Sequence, residues 1–186
     1  MPFDLQPTLE NPWIRLRPLR EDDFDSLYAV AADPLIWEQH PSRTRYQRDV
    51  FETYFRGAME SRGALLILDN ESGAVLGSSR YYDCDEAKRL VAIGYTFIAR
   101  SHWGTAHGGR NTNRLLKTLM LDHAFRFVDA VLFHVGAGNT RSRMAMQKLG
   151  ATLIGEAAIA YYGEASNQNV IYRIERADWI RLHAGP

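Results

Sequence analysis

The chain has 186 residues, 46% hydrophobic and 24% charged, proportions that exclude a fibrous or wholly disordered polypeptide and suit one globular domain, residues 1–186. Twenty-two Lys+Arg balance twenty-two Asp+Glu, so a net charge of zero offers no general footprint for nucleic acid. The single cysteine, Cys84, excludes an internal disulfide, and the longest apolar run, residues 64–68, falls far short of the roughly 20 residues of a membrane span. Residues 1–11 carry Asp4 and Glu10 and no apolar leader, so a reduced, cytoplasmic protein with no membrane contact is expected.

In chain order, residues 13–18 alternate apolar and charged side chains and end on Pro18, a strand signal. Glu21-Asp22-Asp23 suits a helix start, and Phe24, Leu27, Tyr28 and Ala31 follow at helical spacing up to Asp33-Pro34. Phe51, Tyr54, Phe55, Ala58 and Met59 form one apolar stripe on a helix over residues 47–61. Residues 64–69 and 74–82 read as strands around the turn Asn70-Glu71-Ser72-Gly73, and residues 83–88, with Cys84, as a polar loop. A strand over 90–99 precedes a glycine-rich stretch, residues 102–112, and a helix over 113–128. Residues 131–135 form an apolar strand, Asn139 caps a helix ending at Leu149-Gly150, and residues 151–160 and 169–175 are two last strands. The order β-α-α-β-β-β-α-β-α-β-β lacks strict βα alternation. It predicts an α/β (α+β) fold with a mixed sheet, not a doubly wound one.

The chemistry concentrates in residues 90–128. Glycines let backbone N–H groups converge on a ligand, and a helix N-terminus adds free amides and positive potential, which together suit phosphate. The stretch is neither a Walker loop nor a dinucleotide fingerprint, because Gly-Lys-Ser/Thr and Gly-x-Gly-x-x-Gly are absent. None of the histidines has metal-ligand spacing, so no metal is expected; His134 reads as a satisfied core residue and His102 and His107 as loop residues.

Three segments carry a family resemblance: Ile14-Arg15-Leu16-Arg17-Pro18-Leu19, then Ala92-Ile93-Gly94-Tyr95-Thr96-Phe97 with Trp103-Gly104, then Asn139-x-x-Ser142-x-x-Ala145-x-x-Lys148-x-Gly150. In order and spacing the chain resembles the GNAT acetyltransferases, in their RimJ/RimL-like branch, from Trp13 to Trp179. The resemblance implies a mixed, mostly antiparallel sheet with flanking helices and acetyl-CoA in the splay between two central parallel strands. The pantetheine arm would pair with the strand at Tyr95–Ala99, and Phe97 or Ile98 would offer an oxyanion amide. Pyrophosphate would rest on Gly104, Gly108, Gly109 and the helix start at Asn113, with Arg110, Arg114 and Arg143 adding charge. The loop is longer than the family pattern. One register matches at Gly104 and Ala106, and another at Gly108 with Arg110 in the final small-residue position.

The implied reaction is direct attack of a primary amine, a protein N-terminal α-amine or a small molecule, on the thioester. A carboxylate that serves as base in relatives is replaced here by Ala92. Ser142 matches a proton donor to the thiolate and Asn139 a pantetheine contact; the plainer reading makes Asn139 an N-cap and Ser142 a first-turn residue. Tyr161 is a second donor candidate in the last hairpin. Trp37, Glu38 and Tyr81 would line the acceptor pocket, with Glu38 holding a cationic amine or simply solvated. The alternative is a catalytically weak acyl-CoA-binding sensor of the same fold. A monomer or a homodimer is expected.

Overall fold

The computed structural model describes residues 2–105 and 108–183. One eight-stranded sheet runs in the order β1-β2-β3-β4-β5-β6-β8-β7. Its strands are β1 (Leu9–Glu10), β2 (Ile14–Pro18), β3 (Ala64–Asp69), β4 (Val75–Asp85), β5 (Leu90–Ile98), β6 (Ala130–Gly136), β7 (Thr152–Ala160) and β8 (Ser166–Glu175). Every neighbouring pair is antiparallel except β5 and β6. The helices are α1 (Phe24–Ala31), α2 (Arg48–Ser61), α3 (Thr112–Ala124), α4 (Thr140–Lys148) and α5 (Arg176–His183). None among the described residues is long and apolar enough to cross a membrane.

The sheet separates two apolar cores. On one face, Leu27 and Ala31 of α1 and the predicted α2 stripe of Phe51, Tyr54, Phe55 and Ala58 cover Leu66 and Phe97. On the other, Leu116 and Met120 of α3, Met146 of α4 and Trp179 of α5 cover Leu65, Ile93, Val131 and Phe133. Burial of these rows, at about 25 cal/mol per Å² of apolar surface, is the main drive to form the layers.

Two elements escape the sequence pattern. β1 has only two residues, and α5 exposes Ile180 and Leu182 while burying Trp179, so neither shows a clean period. Cys84 lies at the end of β4 instead of in a loop, half-buried. Burial and the neighbouring Glu86 and Asp85 raise its thiol pKa, which makes it a poor nucleophile.

Two irregularities shape the centre. β5 and β6 pair only at Leu90–Ala130, Val91–Val131 and Ala92–Leu132, and then part. On the other side of β5, the register with β4 slips between Ser78–Phe97 and Arg80–Gly94. At this bulge Tyr95 takes φ of +52°, and its carbonyl accepts a hydrogen bond from Tyr54 Oη at 2.7 Å. The slip reverses the alternation. Tyr95 and Phe97 turn to the α1/α2 core, and Ile98 to the α3 core, as Ile93 does.

Candidate active site

A cavity of about 500 Å³ occupies the gap where β5 and β6 diverge. Residues 93–98 of β5 and 133–136 of β6 form its walls, and the first turns of α3 and α4 close one end. Ile36, Trp37, Gln39, His40, Arg45 and Tyr161 close the other. Its described lining holds Arg45, Lys117, Arg141 and Lys148, three histidines, and no Asp or Glu. A long polyanion fits that charge pattern, because every formal charge facing it is positive.

At the α3 end, Asn111 is the N-cap: its Oδ1 accepts from the Arg114 amide at 2.9 Å. The helix therefore starts just before the expected Asn113. The first-turn amides have no acceptor within the helix, a backbone arrangement that suits an anion. Gly104 and Asn113 line the cavity, and Trp103 Nε1 donates to Ile98 O at 2.8 Å. Gly108, Gly109 and Arg110 do not line it. The Arg110 guanidinium stacks on Trp13, 3.4 Å from the ring centroid, beside a smaller hollow. That aromatic surface outcompetes the cavity for its side chain. Ala106 and His107 lie outside the described residues.

At the α4 start, Asn139 behaves as the N-cap reading predicts, its Oδ1 accepting from the Ser142 amide at 3.0 Å. Gln39 Oε1 accepts from the Arg141 amide at 3.1 Å, so a side chain from before α2 holds the same helix end. Asn139 and Ser142 both face the cavity. Arg143 turns away, donating to Ala137 O at 3.1 Å.

On the α1/α2 side, Trp37 is buried, with Nε1 donating to Ala31 O at 2.7 Å. Glu38, expected beside it in the pocket, points outward instead, half its side chain exposed and 3.6 Å from Arg141. Neighbours in a turn point to different sides, and the desolvated place went to the indole. Tyr81, expected on the acceptor wall, is buried in the opposite core, where its hydroxyl donates to Met120 O at 2.7 Å. Strand alternation turns the next residue, Tyr82, to the other face, where its hydroxyl meets His134 of the cavity wall at 2.9 Å. Tyr161 lines the cavity, but its hydroxyl donates to Asn169 Oδ1 at 2.8 Å, and burial pushes it up to about 12.

Arg45 is fully buried among the rings of Trp37, Tyr54 and Tyr161, 5.0 to 5.6 Å from their centroids, and pairs with Glu164 at 2.7 Å. His40 Nδ1 accepts from the Ser42 amide at 3.1 Å, and its Nε2 lies 3.3 Å from Arg45 Nη1. Desolvation and the Arg45 charge hold His40 neutral well below its ordinary range.

The sequence predicts a satisfied core histidine at His134. It is satisfied, with Nδ1 2.9 Å from Tyr82 Oη, yet its ring stands in the cavity wall. Gly94 lies between the two: a Cβ there would sit 2.9 Å from the Tyr82 ring. Burial lowers the His134 pKa, so the ring is neutral near pH 7.

The sequence profile of the Acetyltransferase (GNAT) domain matches residues 14–152. No curated protein matches the chain significantly. Among solved structures, a GCN5-related N-acetyltransferase from Brucella melitensis superposes with a TM-score of 0.80 at 18% identity, over 96% of this chain and 83% of that one. Spermidine N-acetyltransferase from Vibrio cholerae, in complex with CoA and spermine, gives 0.67 at 15% identity, over 91% and 99%. Mycobacterium smegmatis RimJ, in complex with CoA-disulfide, gives 0.66 at 18% identity, over 96% and 95%. These likenesses are likenesses of fold.

Proposed function

The chain belongs to the GNAT acetyltransferase family, and we propose that it moves an acetyl group from acetyl-CoA to a primary amine by direct attack. The observation that carries this reading is the carboxylate-free gap between β5 and β6, running from the α3 N-terminus past the bulge at Tyr95. When bound, acetyl-CoA supplies the activated acyl carbon. The α3 amides, Gly104 and Asn113 hold its phosphates, and the backbone at Phe97 and Ile98 holds its arm. Asn139 and Ser142 bind at the α4 end.

The attacking nitrogen must be neutral, and an alkyl ammonium titrates at about 10.4. With Ala92 in place of an acid, His134 is the base: in the tautomer whose Nδ1–H donates to Tyr82 Oη, Nε2 remains an acceptor. Trp37 and Tyr161 form the acceptor wall. Among the described residues no acidic side chain lines the cavity to hold a second ammonium, which favours a peptide α-amine or a small monoamine over a polyamine.

Calorimetry with acetyl-CoA and CoA, followed by thiol release against N-terminal peptides, small monoamines and spermidine, tests this. The expected result is CoA binding, with turnover on monoamines exceeding that on spermidine. The same lack of a carboxylate favours a second reading, a weakly catalytic acyl-CoA sensor; tight CoA binding with no turnover on any amine would select it.

A further inference from the structure

One group in the cavity has no part in the reaction above. Lys117 of α3 is only 4% exposed and lines the gap from the α3 face. Its Nζ donates to Thr96 Oγ1 at 2.7 Å, its one hydrogen-bond partner among the described residues, and lies 5.6 Å from the Phe133 ring centroid. No carboxylate among the described residues pairs with it. Thr96 directly follows the bulged Tyr95, and its Oγ1 also meets Ser79 Oγ at 2.8 Å. Thr96, held in turn by Ser79, thus fixes the amine where the strands part.

A lone buried amine is a liability to folding that Met or Leu would avoid at similar volume.

We propose that the Lys117 ammonium is a catalytic residue that protonates the sulphur leaving the acetyl thioester. This rests on the acetyl-CoA reading above. The acceptor nitrogen bonds the carbonyl carbon, the carbon–sulphur bond breaks, and its electron pair goes to sulphur together with a Lys117 proton. Lys117 is left neutral. The proton shed by the acceptor nitrogen goes through His134 to water, and solvent reprotonates Lys117. One amine and one thioester give one amide and one thiol.

The alternatives are worse matched. Burial holds Lys117 at about 7, below the roughly 8.5 of an alkyl thiol, so transfer runs downhill. Tyr161, pushed up to about 12, would transfer uphill, and its hydroxyl already donates to Asn169 Oδ1. The other titratable or charged groups in the gap are Tyr95 on β5, His134 on β6, Arg141 and Lys148 on α4, and His102 after β5. Arg45, His40 and Tyr161 stand at its far end. None is an acid that would hold Lys117 charged at high pH.

The test is to titrate the thiol of enzyme-bound CoA by its ultraviolet thiolate absorbance, with desulfo-CoA as blank. Wild type is compared with Lys117→Met and Thr96→Val, and kcat and KM are measured for each. In wild type the amine and the thiol titrate as a pair, so part of the thiolate is expected to appear near the Lys117 value of about 7, a shift below the roughly 8.5 of a lone thiol. In Lys117→Met that shift disappears and kcat falls about 10²-fold, with KM for acetyl-CoA nearly unchanged. Thr96→Val, which unties Nζ, gives a smaller loss of the same kind. An unshifted thiol in wild type, which needs no variant to fold, or a kcat for Lys117→Met within about threefold of wild type, overturns the proposal. CoA binding and amine acetylation with an unshifted thiol sink it alone; failure to bind CoA sinks it together with the function it rests on.

Discussion

Lys117 is expected to reduce stability in a way that pH reveals. Its pKa is about 7 in the fold and near 10.4 in an unfolded chain, so between these values the unfolded state binds the extra proton. Stability therefore rises with pH across that window, by at most about 1.4 kcal/mol per unit. Below pH 7 both states are charged and the full cost remains. Lys117→Met should melt above wild type at pH 6, with the gap shrinking toward pH 9; thermal melts at the two pH values check this, and a constant gap refutes it. Gly94 makes a second test. In Gly94→Ala the new methyl collides with the Tyr82 ring and displaces it from His134. Turnover is expected to fall about tenfold or more, the low end of what a positioned base contributes being about 10². CoA affinity, measured by calorimetry, should stay near wild type. Reading Gly94 as part of a motif was possible from sequence; seeing that it clears a path between β4 and β6 required the register.

Among the elements, α4 was the most legible, since Asn139 and Gly150 mark its ends by type and the cap hydrogen bond forms as expected. Asn139→Ala is expected to lose about 1 kcal/mol of stability, and to weaken CoA binding as well. Unchanged affinity beside that stability loss would leave Asn139 a cap and nothing more. The stripe on α2 was equally plain, because four large apolar side chains and Ala58 repeat at helical spacing. β5 was legible as a strand but not as a bulged one. The bulge depends on which residues of β4 lie opposite, and a single strand's composition carries no trace of its partner. Tyr81 and Glu38 were misplaced for the same reason: a residue's type says how much it gains from burial, not which of two faces receives it. β1 and α5 had too few buried residues to show a period.

Across the molecule, the acceptor end of the cavity is assembled from distant segments. Arg45 before α2 meets Glu164 in the β7–β8 turn, 119 residues away, and Ser42 bonds the same carboxylate. Glu164→Ala would leave a buried guanidinium without its counter-charge, at a cost of roughly 3 kcal/mol or more. Denaturant unfolding should show that loss, little relieved by salt because the pair is screened from solvent. A loss below about 1 kcal/mol would mean that the three surrounding rings suffice. The apolar spacing and the capping residues already contain the layered α/β architecture, and three motif segments in order carry the resemblance to the family to which the chain belongs. These are local properties, set by backbone geometry and by the gain from burying one face of each element. The parting of β5 from β6, the turn of Arg110 onto Trp13 and the lone amine of Lys117 in a gap without carboxylates arise only when distant elements meet. Desolvation and charge pairing depend on neighbours in space, and only the folded chain supplies them.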